Sequence, residues 1–292
     1  EEPNQEKKLK LNLPILEEIN NKVSSKVREQ YEESPYPRWV NLSLKLEPSP
    51  ISKVVDEVKL KLHCGQINEA KNPNILIAGC GTGQHSITTA ARFKSSKVLA
   101  IDLSLSSLAY AKRKTEELAI KNIEYLQADV LDLHKLKRQF DIIQSSGVLH
   151  HMQDPMEGWR ALTNLLRPGG WMKIGLYSEH ARRPITRLRS EVASLDMPAS
   201  KAEIKKFRQL VIESEREEHR RITEFTDFYS SSEITDLIFH VQEQNFTLPQ
   251  IENYLNELGL EFSGFESKEI VAEFRRYFGD GADILGFWIY LI

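Results

Sequence analysis

Three glycines within five positions (Gly79, Gly81 and Gly83) and a carboxylate (Asp102) nineteen positions past the last of them have the clearest chemical purpose in this 292-residue chain. Glycine lets a backbone turn sharply and lets a ligand lie against the main chain, and a carboxylate at that distance is placed to grip ribose hydroxyls. The combination implies a nucleoside cofactor. A second cluster is His150 and His151, close before Asp154. Imidazole titrates near working pH, so either ring suits a general base. Adjacent histidines rarely aim at one ion, and no H-x-x-x-H helix or carboxylate cluster accompanies them, so no metal is expected.

Such residues need elements to hold them. The glycines follow the apolar run 74–78 and precede the helix-compatible run 84–93, and Asp102 closes the strand-like run 97–102. Further strands are expected at 123–128, 140–145 and 171–177, with helices at 105–117 and 155–166. Strands alternating with helices at this spacing predict a parallel, doubly wound α/β sheet. Upstream, the apolar spacing predicts helices over 13–23 and 51–64. Between them Pro35 and Pro37 bracket Tyr36, so Tyr31, Tyr36, Arg38 and Trp39 are presented by a stiff segment, either an arm packed on the core or a lid over the site. After the fifth strand, residues 178–247 form a long insert: 179–221 is charged and helical, and the part holding Tyr229, His240 and Glu243 mixes aromatic with polar groups and suits a substrate pocket.

With 40% hydrophobic residues the chain can bury one large core. Its 39 basic and 42 acidic residues give a net charge of −3, without a general attraction for nucleic acid or an anionic membrane. No apolar run is long enough to span a bilayer and the start does not read as a signal peptide, so a cytoplasmic location is expected. Cys64 and Cys80 are too few for a disulfide framework, and Cys80 reads as a small loop filler. The polar opening without methionine suggests a chain cut from something longer.

The landmarks now fall in register. Gly79-x-Gly81-x-Gly83 has Gln84 where dinucleotide sites carry their third glycine; Asp129 follows strand three in Gln127-Ala128-Asp129; Ser145-Ser146-Gly147-Val148-Leu149-His150-His151 follows strand four; Leu166-Arg167-Pro168-Gly169-Gly170 leads into strand five. This pattern resembles class I methyltransferases dependent on S-adenosyl-L-methionine (SAM). The resemblance implies a Rossmann-like, doubly wound, seven-stranded sheet, with strands six and seven at 260–265 and 284–292, the last antiparallel. It divides the chain into an N-terminal helical arm and lid (1–70) and a SAM-binding domain (71–292) with a helical insert (178–247) between strands five and six. It also implies SAM contacts from Gly79, Cys80, Gly81, Thr82, Gly83, Gln84, Asp102, Leu103, Ser104, Ala128, Asp129, Val130, Ser145 and Gly147, with Asp129 at the adenine amino group, and from Tyr36 and Arg38 of the arm. Where the family carries an acid two residues before the first glycine, this chain has Ile77. Gln84 and His85 are the expected replacements, and Arg38 is expected to pair with the methionine carboxylate if the arm folds over the site.

Gln30–Trp39, the glycine loop, Phe225–Glu233 and Leu237–Gln250 are similar to a bacterial family of such methyltransferases often fused behind tetratricopeptide repeats, and loosely to the rickettsial protein-lysine methyltransferases. An upstream repeat domain would fit; none is visible here. The resemblance implies methyl transfer to a nitrogen or oxygen nucleophile on a protein or peptide, with a small metabolite as the rival acceptor and a non-catalytic SAM-binding module as the alternative. His150, His151 and Tyr229 are the expected catalytic residues. Tyr31, Trp39, Tyr229, His240 and Glu243 are expected around the acceptor.

Overall fold

At the centre lies a parallel sheet of five strands, β1 (Asn74–Ala78), β2 (Lys97–Asp102), β3 (Ile123–Gln127), β4 (Phe140–Ser146) and β5 (Leu166–Gly175), in the order β3-β2-β1-β4-β5. The computed structural model describes residues 2–44, 47–58 and 65–266, together with 272 and 276. Helices α1 (Glu2–Asn12), α2 (Lys22–Glu33) and α3 (Ile51–Val58) precede the sheet, and α4 (Gln84–Arg92), α5 (Leu105–Glu117) and α6 (Pro155–Thr163) connect its strands. The insert carries α7 (Glu179–Ser194), α8 (Lys201–Glu213), α9 (Glu217–Ile222) and α10 (Ser231–Phe239), and α11 (Leu248–Leu258) follows it.

A central parallel strand is covered on both faces, so it must be apolar on both. In β1, Ile75 and Ile77 join one core cluster with Val98, Leu108 and Ile142, while Leu76 and Ala78 join the other with Leu99, Ile143 and Trp159. Each fully buried aliphatic side chain contributes about 1.5–3 kcal/mol. The sheet reverses its winding between β1 and β4, which are direct neighbours. In such sheets a crevice opens beyond the carboxyl ends of the two strands at the reversal, and ligands bind there.

Several expected boundaries change. The helix expected over 13–23 does not form: Pro14 and Leu16 pair instead with Gln127, whose N–H donates to Pro14 O and whose carbonyl accepts from Leu16 N, both at 2.9 Å. Proline lacks the N–H and clashes with a preceding helical turn, so the extended path wins. The opening residues are helical in α1, which docks on α5 through Arg113, 1% exposed, whose Nε donates to Glu6 at 2.8 Å. β5 starts earlier than expected, and Arg167–Gly170 is a bulge inside it, since Phe140 pairs with Leu166 but Ile142 with Trp171. Residues 260–265 are not in a strand, and the expected strand seven lies outside the described residues, as does the second half of the helix expected over 51–64. Helices α7 to α10 bury an apolar cluster of their own around Leu188, Phe207, Phe228 and Ile234.

Candidate functional site

β1 ends in the glycine turn, with Gly79 at φ +73° and Gly83 at φ +89° capping α4. A β carbon on Gly79 would lie 2.0 Å from a methyl of Val148, in the loop after β4. On Gly81 it would lie 2.8 Å from the carbonyl oxygen of Tyr36. The first glycine therefore admits the loop after β4, and the second admits the arm. The arm is tied down beside it: Trp39 Nε1 donates to Thr82 O at 3.2 Å, and Thr82 Oγ1 donates to Pro37 O.

Gly79 and Gly81 open onto a cavity of about 360 Å³ at the reversal point, the size of a site for one small ligand. Asp102 stands at the end of β2, where Oδ2 accepts from Gly81 N at 2.8 Å and Oδ1 from Ser104 N at 2.9 Å; burial raises its pKa to about 6. Asp129 follows β3, with Oδ1 accepting from Leu131 N at 3.1 Å. Two carboxylates on the wall of a cavity floored by glycine backbone match the donor groups of an adenosine: ribose hydroxyls and an exocyclic amine. The residues fit SAM.

Of the expected cofactor residues, Tyr36, Gly79, Cys80, Gly81, Gln84, Asp102, Leu103, Ala128, Asp129, Val130 and Gly147 line this cavity. Thr82, Gly83, Ser104 and Ser145 are buried and do not line it. Arg38 is exposed and off the cavity, because the turn that buries Trp39 points its neighbour to solvent. Among the described residues Lys173 of β5 is the cation that lines the cavity, ion-paired with Glu266 at 2.5 Å; His85 also lines the wall.

The same cavity is also lined by His151, Tyr31, Tyr36, Tyr177 and Asp236. His151 Nδ1 lies 2.6 Å from the carbonyl of Gln242, which can only accept, so Nδ1 carries the proton and Nε2 presents a lone pair. His240 stacks on His151 with ring centroids 3.6 Å apart, and its Nδ1 accepts from Gln242 N at 3.1 Å, so its Nε2 carries the proton. One residue's main chain thus sets opposite tautomers in two stacked rings. Burial lowers the pKa of His151 to about 4 and of His240 to about 2. Among the described residues His151, Asp236 and His240 are a group whose ligand-type atoms lie within 4.8 Å of one another. The Gln242 N–H aimed at His240 Nδ1 requires a lone pair there and leaves a proton on Nε2, which does not suit coordination.

Four expected roles change. His150 is 1% exposed and stacked on Tyr177 at 3.9 Å, behind the wall, because its neighbour His151 takes the inward direction. Tyr229 is 61% exposed, and its hydroxyl donates to Thr223 O at 3.0 Å on the outer side of the insert. Trp39 is an anchor between Thr82 and Tyr110 rather than an acceptor contact. Glu243 is spent on Arg182, at 2.6 Å, with its own side chain 2% exposed. Tyr31, expected at the acceptor, lines the cavity, and His240 backs His151. Asp236 and Tyr177 were not anticipated. The signal for Asp236 is a lone acid inside the fully buried run Ile234–Phe239.

The methyltransferase-domain family matches residues 75–170. A protein of Synechococcus sp., itself uncharacterised, is 31% identical over 70% of this chain and 51% of its own length. Ubiquinone biosynthesis O-methyltransferase of Coxiella burnetii is 32% identical over 45% of this chain and 53% of its length. The chain spans about half the length of the curated relatives it matches. Among solved structures, PKMT2 from Rickettsia typhi in complex with AdoHcy superposes with a TM-score of 0.61 over 85% of this chain and 51% of that one, at 16% identity.

Proposed function

Residues 75–170 of this chain are a class I SAM-dependent methyltransferase domain, and from that premise we propose that the protein transfers a methyl group to a nitrogen or oxygen nucleophile held between the arm and the insert. The observation that carries the reading is a single cavity lined both by the glycine loop, Asp102 and Asp129 and by His151, whose Nε2 is unprotonated. When bound, the cofactor supplies an electrophilic methyl group on a sulfonium. The chain's own residues do the rest. Asp102 and Asp129 would accept from the ribose and the adenine amine, Gln84 and His85 would serve the amino group in place of the acid missing at Ile77, and Lys173 would suit the carboxylate. The arm covers the cavity and excludes water, and His151 Nε2 takes the acceptor's proton.

A protein or peptide side chain is the favoured acceptor. The arm and insert segments that resemble the repeat-fused family are the parts that enclose the acceptor end. The quinone-pathway relative matches 132 residues, too short a stretch to include arm, sheet and insert together, so it supports the cofactor half more than a small-molecule acceptor.

Calorimetry with SAM tests the first step. The full chain binds SAM and not NAD, and Asp102→Ala weakens binding by about 1.5–3 kcal/mol, the worth of hydrogen bonds to a charged group. A folded chain that ignores SAM overturns the reading. Labelled SAM incubated with lysate of the source cell, then separated into protein and small-molecule fractions, tests the acceptor class: label confined to small molecules favours the rival.

A further inference from the structure

Helix α5 starts just past Asp102, and the first N–H groups of a helix have no partners within it. Each finds one outside. Ser104 N donates to Asp102 Oδ1 at 2.9 Å, and Ser107 N donates to the Ser104 hydroxyl at 3.0 Å. The two N–H groups between them, of Leu105 and Ser106, both donate to Oε1 of Glu32, a residue 73 positions before Leu105 in the last turn of α2. Glu32 Oε2 accepts from the Ser106 hydroxyl at 2.6 Å and from Lys10 of α1. Beside it the Tyr31 carbonyl accepts from the Ser104 hydroxyl at 3.1 Å. The end of α2 is thus fastened to the segment 102–106, which carries the ribose carboxylate.

An aspartate beside a helix start readily turns onto whatever N–H groups are free there. Asp102 is in that situation, and a carboxylate drawn further onto α5 turns away from the cavity. We propose that Glu32 is a positioning residue for the cofactor: by claiming Leu105 N and Ser106 N it leaves Asp102 between Gly81 N and Ser104 N, with lone pairs free for the ribose hydroxyls. Glu32 does not line the cavity, so it acts through Asp102 and the loop rather than on the ligand. This deepens the cofactor seat proposed above and rests on it. The charge of Glu32 leaves a second signature. Burial chiefly, and the Glu32 carboxylate with it, raise the pKa of Asp102 to about 6. Burial works against the ionised form of Glu32 too, but Lys10 and Ser106 outweigh it and hold its pKa below the ordinary value. Tyr31 and Cys80, which also feel Asp102, stay neutral because burial raises both.

Calorimetry of the full chain with S-adenosylhomocysteine, between about pH 5 and 8, tests the role. Affinity of the parent chain declines as pH falls through about 6, where the carboxylate that accepts from ribose takes up a proton. At neutral pH Glu32→Ala weakens binding roughly tenfold. Glu32→Gln keeps an acceptor for the two N–H groups but no charge; it loses less than about threefold and moves the acid decline to lower pH. In an Asp102→Asn background Glu32→Ala costs less than about twofold more, since both substitutions act on one contact. A Glu32→Ala loss of equal size in both backgrounds, or unchanged affinity in both Glu32 variants, overturns the positioning role. Should Glu32→Ala fail to fold, the pH profile of Glu32→Gln decides, and an unmoved profile overturns the role. Failure of the cofactor seat itself looks different: S-adenosylhomocysteine does not bind the parent chain, or Asp102→Asn binds it as tightly as the parent does, and the role falls with the seat.

Discussion

His151 and His150 differ in role because their surroundings differ, although they are neighbours in sequence. His151 has a fixed tautomer, a bare Nε2 and a place on the cavity wall, so His151→Ala lowers single-turnover methyl transfer by about 10²–10⁴-fold, the usual worth of a positioned base. SAM affinity, measured by calorimetry, stays within about twofold. A variant with full turnover removes the residue from the mechanism. His150 affects stability instead. Burial, with smaller help from His151 and Arg182, lowers its pKa to about 2, so as pH falls through 6.5 the unfolded chain takes up a proton that the folded chain refuses. Its stabilising neutrality is complete above pH 6.5 and is lost steadily toward the folded value, by about 1.4 kcal/mol per pH unit. Asp102 and Asp236, raised to about 6 chiefly by burial, act in the opposite sense between roughly pH 4 and 6. Comparison with His150→Phe isolates the imidazole: denaturant midpoints of that variant decline less between pH 6 and 4.5 than those of the parent chain, and parallel curves contradict this account.

At the scale of elements the arm decides the shape of the site. α2 carries Tyr31, and the segment after it hangs Tyr36 over the glycine loop before Trp39 locks into Thr82 and Tyr110. Trp39→Ala therefore costs about 3–5 kcal/mol, as removal of a buried tryptophan does, and also weakens SAM because the loop loses its tether. Chemical denaturation and calorimetry on the same sample check both effects, and a stability loss without an affinity loss reduces the arm to packing. The strand–turn–helix units at the sheet were legible because each carries its own instruction: apolar runs for β1 and β2, glycines for the turn, and helix spacing over 105–117 that α5 reproduces residue for residue. Pro14 is different. Its segment reads as a helix by apolar spacing, but the backbone finds a partner at Gln127, more than a hundred positions away. Asp236 and Tyr177 were illegible for the same reason, since only tertiary packing brings α10 and the end of β5 to one wall.

Among the described residues two buried clusters lie against the sheet, a third lies within the insert and a small fourth joins Trp39 to Ile87 and Tyr110, and the cavity lies where arm, sheet and insert meet. Saturation with S-adenosylhomocysteine at a hundredfold excess over Kd stabilises the chain by about 2.7 kcal/mol. Hydrogen exchange shows where that stabilisation is felt. Protection rises in 31–39 and 240–246 as well as in 79–84; protection confined to the glycine loop would mean that arm and insert do not respond to the cofactor. The tight approach of Gly81 to the Tyr36 carbonyl adds a second demand for glycine at this position. The second glycine of such a loop is ordinarily explained by the ligand it must admit, but here the chain's own arm fills the place of a side chain. With φ at +50°, position 81 also needs glycine for its backbone, so a side chain there would strain the loop and push the arm away together.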